Sequence, residues 1–265
     1  MPKVEVLLST LNNSIYNIVF NPEYNYVVVH QITQQGDIEE YKRHIALVSS
    51  ELSISINYIQ TKTVGLSKSR NIAMDNSTAD FCIIADDDVI ISSGFSNGDL
   101  FECYQSDLLS FGFVLGGKYK GELLSETNVS FRNSFSISSV SMCLSRRLID
   151  SNLRFNESFG LGAQYPSGEE FIFVNHCISK GFVAKKIPVV ICYHEKETSG
   201  ENFHRNDNLI ETKFRMMDMV KLRTGFVYSM LFLIKKMPFL LSEGKLVLCF
   251  RRYLNYYIGR LIKLC

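Results

Sequence analysis

Apolar and polar positions along the chain fall into two alternating rhythms. Residues 3–9 and 26–30 are short apolar runs rich in β-branched side chains that end in polar segments, the pattern of strands buried on both faces. Between 37 and 52, Ile38, Tyr41, Ile45 and Val48 recur at helical spacing, and 54–59 returns to a strand-like pattern. A helix is predicted over 66–76 and a strand over 81–85. Strand and helix alternating through residue 90 predict a parallel, doubly wound α/β sheet.

Farther along, 108–115 and 138–144 read as strands, 116–133 as a polar insertion beside an acceptor site, and 168–180 as a helix. Residues 183–193 read as a last core strand interrupted by Pro188. Beyond 225, two apolar stretches (226–234, and 239–241 with 246–250) carry Lys235, Lys236, Lys245, Arg251, Arg252, Arg260 and Lys263 against a single acid, Glu243. Neither stretch reaches the roughly 18–20 uninterrupted apolar residues that span a bilayer. They are expected to form amphipathic helices on a membrane surface, with simple packing on the core as the alternative. The expected division is a domain over 1–224 and a membrane-association segment over 225–265, removable with the donor site left intact.

Composition narrows the class. With 265 residues, 46% apolar and 21% charged, the chain can bury a sizeable core. Lys+Arg at 28 against Asp+Glu at 27 gives no reason to expect a nucleic-acid partner. The seven cysteines form no C-x-x-C pair and several lie in apolar runs, which predicts reduced, buried thiols in a cytoplasmic protein. Met1-Pro2-Lys3-Val4-Glu5-Val6 enters a strand-like run directly, with no export signal pattern.

Candidate chemistry concentrates at a few points. Asp86, Asp87 and Asp88 follow the apolar 81–85 run, where adjacent negative charges repel unless a cation sits among them. Asp86 and Asp88, two apart near a strand end, can point the same way and share one Mn2+ or Mg2+, with Asp87 facing elsewhere. A cation so held keeps positions open for phosphate oxygens. The competing reading is an acidic turn that caps a helix. Upstream, Gly65-Leu66-Ser67-Lys68-Ser69-Arg70-Asn71 puts two hydroxyls and two cations at a helix start, where backbone N–H groups favour an anion. Arg70 is the expected phosphate or base-proximal contact, although a serine-capped basic helix is often only a helix.

Together these segments resemble the inverting family 2 glycosyltransferases of the GT-A fold, whose hallmark is a Gly-Leu-Ser-x-Ser-Arg-Asn helix followed by a strand and an Asp-x-Asp element. The resemblance continues through Phe155-Asn156-Glu157-Ser158-Phe159-Gly160-Leu161-Gly162, Gly168-Glu169-Glu170 and Tyr193-His194, and covers roughly residues 3–200. It implies a Rossmann-like, mostly parallel central sheet with flanking helices. It also implies metal-dependent transfer of a sugar from a nucleotide-sugar donor, a UDP-sugar in the first instance, to a hydroxyl of a glycan or lipid-linked acceptor in polysaccharide assembly. Asp86 and Asp88 match the metal and diphosphate element, Asp88 foremost, with Asp87 beside them. Ser9 and Thr10 match base or ribose contacts, and Gln31 stands near a position that relatives usually fill with an acid. Gly65, Ser67 and Arg70 fall on the donor side. Glu170 matches the general base, with Glu169 the alternative. His194 matches an additional metal or diphosphate contact, or is simply hydrogen-bonded in place.

The chemistry is coherent without the family. Inverting transfer needs a carboxylate to deprotonate the acceptor and a cation to stabilise the departing diphosphate, although carboxylates at a helix start are also favourable for purely electrostatic reasons. Phe159 and Tyr165 are candidates to stack on a sugar face. A sugar-phosphate nucleotidyltransferase would carry a glycine-rich basic loop where this chain has Ser9-Thr10-Leu11-Asn12-Asn13-Ser14. An aspartyl-phosphate phosphatase would carry its Asp-x-Asp after the first strand. A non-catalytic, membrane-associated GT-A-like binding protein is the alternative of another class. The basic, apolar tail adds the expectation of peripheral attachment to the inner face of the cell membrane, beside a lipid-linked acceptor.

Overall fold

The computed structural model describes residues 2–34, 38–120, 125–194, 204 and 207–262. The centre of the 116–133 insertion, the segment that follows His194, and Lys263 lie outside the described residues. Consecutive residues of β1 (Val4–Leu11) alternate between two separate cores: Val6 and Leu8 enter one, Leu7 the other. The same division holds in β2 (Asn25–Gln31), where Val28 faces the first core and Val27 and Val29 the second, and in β4 (Phe81–Asp86), where Ile83 and Ala85 oppose Cys82 and Ile84. This is the period-two geometry of a strand, and it explains why both runs are apolar without a break. Helix α1 (Ile38–Leu52) covers the first face with Tyr41 and Ile45, and α2 (Leu66–Asn76) covers the second with Ala73 and Met74.

The remaining elements are β3 (Ile56–Thr61), β5 (Val89–Ile91), α3 (Asp99–Cys103), β6 (Leu108–Leu115), β7 (Lys118–Lys120), β8 (Thr127–Asn128), β9 (Met142–Ser145), α4 (Arg146–Asp150), α5 (Glu169–Ser179) and β10 (Ala184–His194). They complete a 10-stranded sheet in the order β3-β2-β1-β4-β9-β6-β10-β5, with β7 on β6 and β8 on β10. The β3-β2-β1-β4 ladders and the β6–β10 ladder are parallel, while β9 runs against both of its neighbours. The expected α/β GT-A architecture, a mostly parallel sheet between helices, is therefore the observed one.

Two details differ from the sequence pattern. Of the expected 138–144 strand only Met142–Ser145 pairs; Ser139–Ser141 is a 3-10 turn in which the Ser141 hydroxyl donates to Ser138 O at 2.9 Å. Serine hydroxyls that bond their own backbone compete with the ladder. The expected interruption at Pro188 is a register shift between Ile187 and Val190, after which β10 continues. Pro238 likewise lies inside one continuous helix, α7 (Gly225–Ser242), followed by α8 (Leu246–Ile262). The two expected apolar stretches are thus redistributed, and α7 is long and apolar enough to cross a membrane by length and composition alone, at 18 residues and mean hydropathy 1.3.

Helix α6 (Asp207–Val220), which the sequence pattern did not reveal, joins the two parts of the chain. Its Met216 and Met217 pack with Phe171 and Ile172 of α5, while Ile210 and Phe214 pack with Leu233 and Leu240 of α7 and Tyr253 of α8. Asp218 holds the other end, accepting from Tyr256, Tyr257 and Arg260. Phe214→Ala should therefore cost about 3 kcal/mol or more in urea unfolding; a loss below about 1 kcal/mol would mean that the C-terminal helices do not pack as described.

Candidate active site

The register of the sheet places Ser9 beside Asp86 and Leu11 beside Gln31, so the C-terminal ends of β1, β2 and β4 share one edge. Crevices at such strand ends are where open α/β sheets bind ligands. A cleft of about 440 Å3 opens there, lined by Ser9, Thr10, Gln31, Gly65, Arg70, Asp86, Asp87, Asp88, Ser139, Glu169, Glu170 and His194. Residues from seven separated stretches of sequence thus converge. Ser67 does not line the cleft: its hydroxyl donates to Phe159 O at 2.6 Å and ties α2 to the loop before α5.

Arg70 has a different partner from the expected phosphate. It is fully buried, and its Nη2 donates to Asp86 Oδ1 at 3.1 Å and to Ser139 Oγ at 2.7 Å, while Nη1 reaches Glu169 Oε1 at 3.3 Å and lies 3.8 Å from Glu170 Oε1. At helical spacing from Gly65, the side chain points inward beneath the cleft rather than out of the helix end. The amides of that end are also engaged, Gly65 N–H with Gln31 Oε1 at 2.7 Å and Leu66 N–H with Leu161 O at 2.8 Å. Gln31 therefore keeps its carbonyl oxygen on the backbone and has only its NH2 to offer a ligand.

The aspartates divide their duties. Asp86 accepts from Arg70, whereas Asp88 Oδ1 lies 3.1 Å from His194 Nε2, so the two have different side-chain partners. His194 arrives because β10 pairs antiparallel with β5 and sets His194 opposite Val89. Its Nδ1 is buried with no hydrogen-bond partner among the described residues. Asp87 accepts from the Thr10 hydroxyl at 2.8 Å, and burial, ahead of its acidic neighbours, raises its pKa. Ser9 Oγ is buried at the cleft wall without a partner among the described residues, a donor and acceptor available to a ligand.

On the opposite wall α5 begins at Gly168 with φ +96, where a Cβ would stand 2.7 Å from Met216 Sδ. Glu169 is buried, with Oε2 lacking any partner, and burial together with neighbouring Glu170 raises its pKa to about 8. Glu170 stays partly exposed to the cleft and accepts from Ser139 Oγ at 3.0 Å. The loop beneath needs glycine at Gly160, φ +104, since a Cβ would come within 3.0 Å of Ser67 Oγ and 3.2 Å of Glu169 Cδ. Phe159, a stacking candidate, is buried against Tyr165 and offers no face to a sugar, while the half-buried Tyr165 ring carries the Arg215 guanidinium at 4.8 Å.

Two contributors escaped the sequence. Ser139 bridges Arg70 and Glu170 from a turn that read as strand. Lys213 of α6 donates to Ser167 at 3.2 Å; burial lowers its pKa and the charges of Glu170 and Glu169 oppose that effect. No local pattern marks either, because both act across long sequence separations.

No protein-family profile matches the chain, and no curated protein does. Solved structures do. The crystal structure of S. aureus TarS 1-349 superposes with a TM-score of 0.57 at 17% identity, over 82% of this chain and 65% of that one. Its complex with UDP gives 0.54 at 16% identity over 85% and 72%, and its complex with UDP-GlcNAc 0.54 at 17% identity over 82% and 66%. The chain has the TarS fold. It spans 65% of the TarS 1-349 fragment and 39% of the longer TarS structure.

The raised Glu169 value has a measurable sign. A carboxyl that binds its proton more tightly when folded contributes stability at low pH and loses it as pH rises from 4.5 through about 8. In metal-free buffer the melting temperature of the wild type should fall relative to Glu169→Gln across that interval. Parallel profiles would show that Glu169 ionises normally.

Proposed function

We propose that this protein is a metal-dependent inverting glycosyltransferase that moves a sugar from a nucleotide-sugar to an acceptor hydroxyl, with Glu170 as general base. The observation that carries this reading is the single cleft in which the strand-end groups Ser9, Gln31, Asp86 and Asp88 face the Glu169-Glu170 start of α5. The UDP and UDP-GlcNAc complexes of TarS support a UDP-sugar as the donor.

Whether a divalent cation fits can be judged from the side chains. Among the described residues no group of three or more His, Cys, Asp or Glu converges as a closed metal site. Asp88 and His194 instead form an adjacent carboxylate and imidazole at the cleft wall, a donor set that suits Mn2+ and keeps positions for phosphate oxygens. These two would hold the ion, while Asp86 is held by Arg70. When bound, the ion supplies charge stabilisation to a departing diphosphate.

The chain's own groups supply the rest. Ser9 Oγ and the Gln31 NH2 are available to orient the nucleotide. Of the carboxylates at α5, Glu169 is buried and engaged by Arg70, which leaves it the less accessible of the two and the alternative base. Glu170 reaches the cleft and can take the acceptor proton onto a carboxylate oxygen.

The same reading places the enzyme at the inner face of the cell membrane beside a lipid-linked acceptor. On α7, Val227, Leu231, Ile234 and Leu241 are exposed at helical spacing, and on α8 so are Val247, Leu254 and Ile258. Exposed Lys235, Lys236 and Arg251 lie among them. Apolar stripes with basic neighbours favour an anionic leaflet. We keep 225–265 as the attachment segment, and α6 as its anchor to the 1–224 domain.

A thermal-shift series with UDP-GlcNAc and UDP, with and without Mn2+, tests the donor. The wild type should show a metal-dependent rise that Asp88→Ala abolishes; no rise with either nucleotide would remove the reading. Glu170→Gln should lower transfer on the order of 100-fold while leaving the shift in place; undiminished turnover would remove Glu170 from the role. Full-length protein should sediment with anionic vesicles and protein ending at residue 224 should not, and equal partition would reduce the tail to core packing.

A further inference from the structure

Ser139 sits at the one point where the buried cation and the proposed base meet, on a turn assigned no role in the mechanism above. Its side chain is 2% exposed, and its hydroxyl touches Arg70 Nη2 at 2.7 Å and Glu170 Oε1 at 3.0 Å. The direction of both bonds is forced. A guanidinium nitrogen only donates, so the serine oxygen accepts from Arg70, and the single hydroxyl hydrogen is left for Glu170. Arg70 cannot turn away, because its remaining bonds go to Asp86 and Glu169. Glu170 Oε1 is thereby fixed as an acceptor, and Oε2 has no hydrogen-bond partner among the described residues.

We propose that Ser139 is the positioning residue for Glu170: it pins Oε1 through a one-way relay from Arg70 and leaves Oε2 directed to the acceptor hydroxyl. The proposal rests on the reading of Glu170 as the base. The turn that carries Ser139 is well placed for this, since β9 begins three residues later between β4 and β6 and anchors the turn to the strand that bears Asp86. The charged groups around Glu170 are Arg70 of α2, Asp86 of β4, Glu169 of α5 and Lys213 of α6. Among them Ser139 is the sole described hydroxyl bonded to Glu170.

A double-mutant cycle on the full-length protein, with UDP-GlcNAc turnover in Mn2+ as readout, decides the matter. Losing a hydrogen bond to a charged group corresponds to a fall of roughly 10- to 100-fold. Ser139→Ala should therefore lower kcat by that factor with the KM for UDP-GlcNAc within about twofold, Ser139→Thr should recover most of it, and Ser139→Ala added to Glu170→Gln should cost nothing further. An equal loss in both backgrounds, or none in the wild type, overturns the proposal. Full activity of Glu170→Gln overturns instead the base reading on which it rests. A readout independent of turnover is the crystal structure of Ser139→Ala, in which the Glu170 carboxylate should leave the position that Ser139 gives it in the wild type. An unmoved carboxylate overturns the proposal whatever the donor is.

Discussion

A guanidinium without solvent contact lies beneath the cleft floor, and the carboxylates on both walls are arranged around it. Arg70 meets Asp86 from β4 and Glu169 and Glu170 from α5, segments far apart in sequence. Burying any of these charges alone would be costly, and one cation among several acids makes each burial tolerable. Negative charge still exceeds positive at that point, and burial together with the Glu170 charge raises the Glu169 pKa. Lys213 of α6 offsets part of it from behind. The shape of the site therefore depends on Arg70, even though a substrate-facing role was the simpler expectation.

The sheet supplies the other half of the geometry. Parallel pairing of β1 with β2 and β4 brings three strand ends to one edge, and the antiparallel β5–β10 pair delivers His194 to Asp88. The strand-end groups and the start of α5 thus face each other across about 440 Å3 rather than along a surface. Chemistry that needs one group to take a proton and another to stabilise a leaving diphosphate is served by such opposition.

The C-terminal helices are not an independent appendage. Helix α6 contributes methionines to the packing beneath α5 and Phe214 to the cluster shared with α7 and α8. Lys213 reaches the Glu169-Glu170 pair from the same helix, so the segment proposed to meet a membrane is mechanically continuous with the wall that carries those two carboxylates.

Much of this was legible in the residues themselves. Runs such as 26–30 and 81–85 announce buried strands because period-two side chains must be apolar on both faces, and Ile38, Tyr41 and Ile45 announce a helix by spacing alone. The acids at 86–88 stood out as clustered charge that requires a partner, and Glu169-Glu170 through the family resemblance. Which partner was a different matter. That Arg70 turns inward, that Asp86 and Asp88 separate, that Gln31 spends its carbonyl on Gly65, and that Ser139 and Lys213 join the site all depend on contacts between distant segments. Local sequence sets each residue's propensity and chemistry, while partners brought together by sheet register and helix packing decide which of those capacities is used.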